Sequence, residues 1–209
     1  MSERAFFSPT ARVKLGDRRA RMMGREEELA LLDAAYADVR DSGEAVAVTV
    51  VGAAGIGKTR LVQEFLLKLR SGEAPRVYRG GAKDEGAVYE PFARALRARF
   101  GIVEGMDAEA AKAQVRAQVS QVLEDRKVGD VAYFLGQLLD LEFADSPLIK
   151  AVEGDAAQLK SLRRAVIKRF LEADALAGGP PRGRSPVVLV FDDLHWAHDE
   201  SLDLIAQLI

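Results

Sequence analysis

The chain has 209 residues, 48% of them hydrophobic and 30% charged, a balance that supports a sizeable buried core in a globular protein. Its formal net charge of -2 gives no whole-chain attraction to nucleic acid or an anionic membrane, and the absence of cysteine excludes disulfides and thiolate metal sites. Two histidines are too few for a histidine-rich metal site; no apolar run spans a bilayer or forms a secretory signal core, so the expected location is cytoplasmic with no membrane partner.

Residues 1–22 carry Arg4, Arg12, Lys14, Arg18, Arg19 and Arg21 against Glu3 and Asp17, which predicts a basic, solvated and poorly ordered lead-in to a domain over 23–209. Arg25 to Arg40 follows with Leu29, Leu32, Tyr36 and Val39 at helical spacing, and Asp41-Ser42-Gly43 stops it. Ala45 to Val51 is an almost continuous apolar, β-branched run and predicts a buried strand of a parallel sheet. Val62, Phe65, Leu66 and Leu69 mark the apolar face of the next helix, ended by Ser71-Gly72, and Arg76 to Arg79 is a short second strand. After a loop over Gly80 to Gly86, helices are predicted for Pro91 to Phe100, Ala108 to Arg126 and Val131 to Phe143. Asp155 and Gln158 have capping-box spacing before a long helix with Leu159, Leu162, Val166 and Phe170 inward. Gly178-Gly179-Pro180-Pro181 terminates that helix, and Arg182 to Pro186 is an exposed loop. The 101–179 interval is thus mainly helical, an insertion or small helical layer beside the sheet. Val187 to Phe191 is the third strand, and Leu202, Leu204, Ile205 and Leu208 belong to a last helix.

Two segments carry chemistry. Gly52-Ala53-Ala54-Gly55-Ile56-Gly57-Lys58-Thr59 is a complete phosphate-binding loop between a predicted strand and a helix. Its glycines and small alanines let successive backbone N–H groups turn inward around phosphate oxygens, and the helix N-terminus adds a positive end. Lys58 supplies a mobile charge for the outer phosphates, the Thr59 hydroxyl can ligate Mg²⁺, and Arg60 closes the nucleotide-binding set. The other segment is Asp192-Asp193 at the carboxyl end of the third strand, where open parallel sheets bind ligands. Asp192 is the candidate second Mg²⁺ ligand, directly or through water. Asp193 is the candidate that orients or polarises an attacking water, joining Lys58 as a catalytic residue. ATP and Mg²⁺ are therefore the expected cofactors.

Three segments resemble the signal-transduction ATPases with numerous domains (STAND) and related replication-initiator-like AAA+ domains of bacterial regulators. They are Met23-Gly24-Arg25-Glu26 with Glu28-Leu29, the phosphate loop, and Asp192-Asp193-Leu194-His195-Trp196-Ala197 followed by Ser201-Leu202; Tyr89-Glu90-Pro91-Phe92 is a weaker fourth. The resemblance implies a P-loop NTPase of the ASCE type, a three-layer αβα parallel sheet with a helical insertion, and it places Gly24 and Arg25 beside the adenine. His198 departs from it, standing where the family often has aspartate. His195 and Trp196 either couple nucleotide state to a partner surface or form a helix start with a packed indole, and packing is the commoner use of Trp. The family's central sensor strand and lid lie later in the chain than Ile209, so the expectation is the N-terminal portion of a larger ATPase, incomplete at its C-terminus. The implied role is an ATP-binding regulatory switch read by other protein domains or subunits. Three further readings stay open: a noncatalytic ATP-binding scaffold, a DNA-binding ATPase whose nucleic-acid reader would lie in missing regions, and a kinase.

Overall fold

The computed structural model describes residues 22–70, 75–123, 125–143, 150, 154–177 and 186–209. The basic run over 1–21, the stop at Ser71-Gly72 and the terminator Gly178-Gly179-Pro180-Pro181 lie outside these residues, as does the exposed loop up to residue 185. In chain order the elements are α1 (Glu26–Ser42), α2 (Lys58–Arg70), β1 (Arg76–Gly81), α3 (Glu90–Phe100), α4 (Ala108–Ser120), α5 (Asp125–Leu139), α6 (Ala156–Ala177), β2 (Val187–Asp192) and α7 (Asp199–Leu208). A single 3₁₀ turn, Leu194–Trp196, joins β2 to α7.

β1 and β2 pair in parallel from Arg76↔Val187 to Gly81↔Asp192, and helices cover both faces of this ribbon. On one face, Val77, Val188 and Val190 pack against Leu32 of α1 and Leu61, Phe65 and Leu66 of α2. The larger core lies on the other face, where Phe92, Leu96 and Phe100 of α3 meet Val115, Val119, Leu135, Leu139, Ile167, Phe170 and Leu204. Phe191 of β2 joins it through a ring contact with Phe92 at 5.0 Å between centroids. Each fully buried Phe of this core contributes about 2 kcal/mol of transfer free energy. β1 runs so close to α3 that a Cβ on Gly80 would lie 1.8 Å from the Pro91 carbonyl oxygen, which only glycine permits.

Two expectations need correction. Ala45 to Val51 is irregular chain rather than a buried strand, with Val48 50% and Val51 86% exposed. β1 and β2 pair with each other, no described strand lies alongside this segment, and a β-branched run without a neighbour has no ladder to stabilise it. Val50, half-buried, packs against the α1/α2 cluster. The expected helices over Ala108 to Arg126 and Val131 to Phe143 also divide differently, into 108–120 and 125–139. Val122 and Leu123 both turn their N–H groups back to Val119 O, closing the first helix, while Val119 itself is fully buried. The Asp155 cap forms as its spacing predicts: Oδ1 accepts from the N–H groups of Ala157 and Gln158, both at 3.0 Å, and holds the Asp155 carboxyl below its usual range.

A buried carboxylate ties the layers together. Asp174 of α6 is 0% exposed and accepts hydrogen bonds from Arg76 and Tyr78 of β1 and from Arg99 of α3, the last at 3.1 and 2.6 Å. Arg99 also donates to Gln118 of α4, whose amide donates to Phe100 O at 2.9 Å. Burial alone would raise the Asp174 carboxyl, but hydrogen bonds from Arg99 and Tyr78 and the charges of Arg99 and Arg76 outweigh it and hold the group below the usual carboxylate range. The Tyr78 hydroxyl is pushed up to about 12, first by burial and then by Asp174. An unfolded aspartate titrates near ~3.9, so the Asp174 contribution is complete above that pH and is lost as pH falls through the lower folded value. The tyrosine has the opposite window, its contribution complete below ~10 and lost as pH rises toward about 12.

Asp174→Asn leaves two arginines facing a neutral group and is expected to destabilise the fold by about 3 kcal/mol, read as a lower urea midpoint at unchanged slope. The gap between parent and variant should close in acid, below the unfolded carboxyl pKa. A midpoint equal to the parent's at neutral pH would show that this cluster contributes no net stability.

Candidate functional site

The phosphate loop precedes the first turn of α2. Gly55 and Gly57 adopt φ of 77° and 98°, left-handed backbone that a side chain would strain, so the inward turn of the loop depends on these two residues. Leu61 N–H bonds Gly57 O at 2.9 Å, starting the α2 ladder, and the preceding amides of the first turn have no carbonyl partner inside the helix. That is the arrangement an anion needs. The loop residues Gly52 to Gly57 are exposed, as is Thr59. Lys58 Nζ donates to Gly52 O at 2.8 Å and Ala53 O at 3.0 Å, so the ammonium lies over the loop's own first carbonyls. Arg60 pairs with Glu64 one turn along α2 at 2.6 Å.

Arg25, just ahead of α1, reaches the same loop: one guanidinium nitrogen lies 3.4 Å from Ile56 O and the other 2.5 Å from Glu28. Gly24 precedes it with φ 71°. The structure therefore brings the Gly24-Arg25 segment to the phosphate loop across thirty-one positions of sequence.

The acidic pair stands at the carboxyl end of β2. Side chains alternate along a strand, and Val77, Val188 and Val190 face α1 and α2; Arg79 and Asp192 share their parity and so lie on that same face. Asp192 is thus on the side of the sheet that α2 covers. Its backbone is fixed by Ala82 N–H, which donates to Asp192 O at 3.1 Å. Its carboxylate is held by Arg79, whose Nε and one NH2 nitrogen both lie 2.7 Å from Oδ2. Asp193 has φ 55° and ψ 37°, left-handed backbone that costs a non-glycine residue about 1 kcal/mol. This kink turns the chain into the 3₁₀ turn, with Trp196 N–H on Asp193 O at 3.0 Å, and leaves the Asp193 side chain exposed without a hydrogen bond among the described residues.

Beyond the acidic pair, Trp196 is 48% exposed, with a ring contact to His195 at 4.9 Å, so the indole is not buried as the packing expectation had it. His198, the departure within the motif, precedes α7 and bonds Gly86 O through Nε2 at 2.9 Å. Ser201, fully buried, donates to Val88 O and fastens α7 to the same loop. These contacts give His198 and Ser201 a structural task.

Among the described residues no hydrogen bond joins Lys58 or Thr59 to Asp192 or Asp193. The donor set nevertheless suits a magnesium nucleotide. Thr59 and Asp192 offer hard oxygens, and no described cluster of three or more His, Cys, Asp or Glu could enclose a cation. Mg²⁺ is normally held in this way, by one or two protein oxygens, with waters and phosphate oxygens completing its shell. Motif reading did not find Arg79; the available signal was a charged residue in a buried strand, two positions out of register with an aspartate of equal parity.

A family model described as AAA ATPase domain matches residues 21–209. No curated protein and no solved structure matches. The AAA match implies a P-loop NTPase fold, with which the parallel β1–β2 pair and its flanking helices agree, and it points to nucleotide binding with ATP and Mg²⁺ as the usual ligands. The matched span covers nearly the whole chain and both motif segments, and the chain belongs to the AAA ATPase domain family.

Proposed function

We propose that this chain is an ATP-binding regulatory module of a STAND-type signal-transduction ATPase, built on a three-layer αβα ASCE core over 23–209 with a helical insertion. One observation carries the reading: a glycine-formed phosphate loop leads into α2, and the sheet face that α2 covers is the face on which Asp192 stands at the end of β2. Bound Mg²⁺ would neutralise phosphate charge and present a polarised γ-phosphate. The main-chain amides of Gly52 to Gly57 and the α2 N-terminus hold the phosphates. Lys58 exchanges its loop carbonyls for phosphate oxygens, Thr59 and Asp192 supply metal ligands, and Arg60 borders the site. Arg25, already against Ile56 O, borders the nucleotide on the α1 side together with the preceding Gly24. Asp193, exposed on its kinked backbone, orients the attacking water and accepts its proton.

Among the described residues no helix is long and apolar enough to cross a membrane, and the proposed setting is the cytoplasm. Other domains or subunits would read the switch, and the exposed His195-Trp196 pair beside Asp193 is the surface this reading assigns to them. A noncatalytic scaffold is the second reading, supported by the lack of a hydrogen bond between the loop and the acidic pair among the described residues.

Lys58→Ala is expected to weaken binding of a fluorescent ATP analogue at least tenfold, since it removes a charge-assisted contact. Binding equal to the parent's would discard the site. Asp193→Asn should keep nucleotide affinity within about twofold and slow phosphate release about a hundredfold, the usual scale of lost general base catalysis. If parent and Asp193→Asn release phosphate at the same rate while both bind ATP, the scaffold reading replaces the hydrolytic one.

A further inference from the structure

Among the described residues Arg79 is the one side chain that hydrogen-bonds or ion-pairs with the Asp192 carboxylate, and it belongs to none of the motif segments. Both of its contacting nitrogens lie 2.7 Å from the same oxygen, Oδ2. No described donor reaches Oδ1. The pair is set in place by strand pairing. Arg79 and Asp192 have equal parity on adjacent parallel strands, their main chains held by the β1–β2 ladder and by Ala82 N–H on Asp192 O. Both side chains are half-buried, so solvent screens the pair less than it would a surface contact.

We propose that Arg79 is the internal counter-cation of Asp192 and sets the affinity of the site for its divalent metal. This rests on Asp192 being a metal ligand. Two effects of the arginine oppose each other. By gripping Oδ2 it holds the carboxylate in one rotamer and spares some ordering on metal entry. By its charge it neutralises the carboxylate and repels a divalent cation arriving at Oδ1 a few ångströms away. Freezing one short carboxylate rotor is a small effect, whereas a like charge next to a divalent ion in a half-buried setting is a large one. The charge effect wins, and metal binding requires the guanidinium to withdraw from Oδ2 or to remain against repulsion. Lys58 has the same character on the opposite side of the chemistry, its charge being satisfied by Gly52 O and Ala53 O. Loading the site therefore exchanges two internal contacts for contacts to metal and phosphate.

The test uses the full chain, Mn²⁺ as an EPR-visible divalent probe, and a slowly hydrolysed ATP analogue. Arg79→Gln is expected to bind Mn²⁺ about tenfold more tightly than the parent, the scale on which groups behind a metal ligand act. Nucleotide affinity in excess EDTA should not change. Arg79→Lys, which keeps the charge, should stay near the parent, and Arg79→Met is measured alongside in case the glutamine variant does not fold. Unchanged or weaker Mn²⁺ binding by Arg79→Gln and Arg79→Met overturns the proposal, as does a lysine variant that tightens equally. Asp192→Asn separates the two levels of inference. If it leaves Mn²⁺ affinity untouched, Asp192 is not a ligand; if it weakens binding while the Arg79 variants do nothing, the ligand stands and the counter-cation falls.

Discussion

The parallel pairing of β1 with β2 fixes nearly everything else in this molecule. Two six-residue strands far apart in sequence meet from Arg76↔Val187 to Gly81↔Asp192, and alternation along each strand then decides which side chains face which helices. Valines 77, 188 and 190 go to α1 and α2; Phe191 goes to the larger helical core, and Tyr78 to Asp174. The same rule puts Arg79 beside Asp192 on the side of the phosphate loop's helix. A slip of one residue would send the aspartate to the helical core and bring Phe191 to the α2 side, so the register is a condition of the packing and of the proposed site alike.

Hydrophobic alternation alone does not lock so short a ribbon, and Asp174 supplies an additional constraint. It accepts from Arg76 and Tyr78, which stand two residues apart on β1 and therefore point to the same face, and from Arg99 on α3. A slipped β1 would present Val77 and Arg79 to Asp174 and leave a buried carboxylate with fewer donors. Buried ion clusters are costly to desolvate and often add little net stability, but an incomplete one is strongly unfavourable. On that reasoning the cluster's value lies in discriminating against wrong registers, which hydrophobic residues of similar shape cannot do.

The legible parts of the sequence were those with local causes. The glycine spacing of 52–57 dictates a loop, helical periodicity marks α1, α2 and α3, and Asp155 with Gln158 marks the start of α6. The misread parts depend on distant partners. Ala45 to Val51 has strand composition but no described neighbour, so composition alone mistook apolar character for pairing. Asp174 carries no local signal and gains no role from the sequence alone, since its role exists only once Arg76, Tyr78 and Arg99 are brought around it. Trp196 is open in the sequence between a packed indole, the commoner use of Trp, and an exposed surface, and it stands 48% exposed after the left-handed Asp193. In the site, each motif was visible alone. What no motif contained was their relation, which comes from strand parity and from Arg25 crossing to Ile56 O.

That relation bears on how the site could respond to a ligand. Lys58 and Asp192, opposite charges that the proposed function assigns to phosphate and metal, are each satisfied by a group from the protein itself. Differential interaction is the only means by which a ligand shifts a conformational equilibrium, so contacts that must be broken are as informative as contacts to be made. A monovalent anion could take Lys58 without disturbing Arg79, and a bare divalent ion could challenge Arg79 without moving Lys58. Under the proposed function a nucleotide carrying its metal would engage both ends at once, and the cost of breaking each internal contact would then be shared by a single binding event. Asp193 adjoins Asp192 in the chain, and its strained backbone leads directly into the exposed His195-Trp196 turn. A displacement of the Asp192 carboxylate from Arg79 would therefore be felt first at the most exposed aromatic surface near the site, through covalently connected backbone that is already kinked.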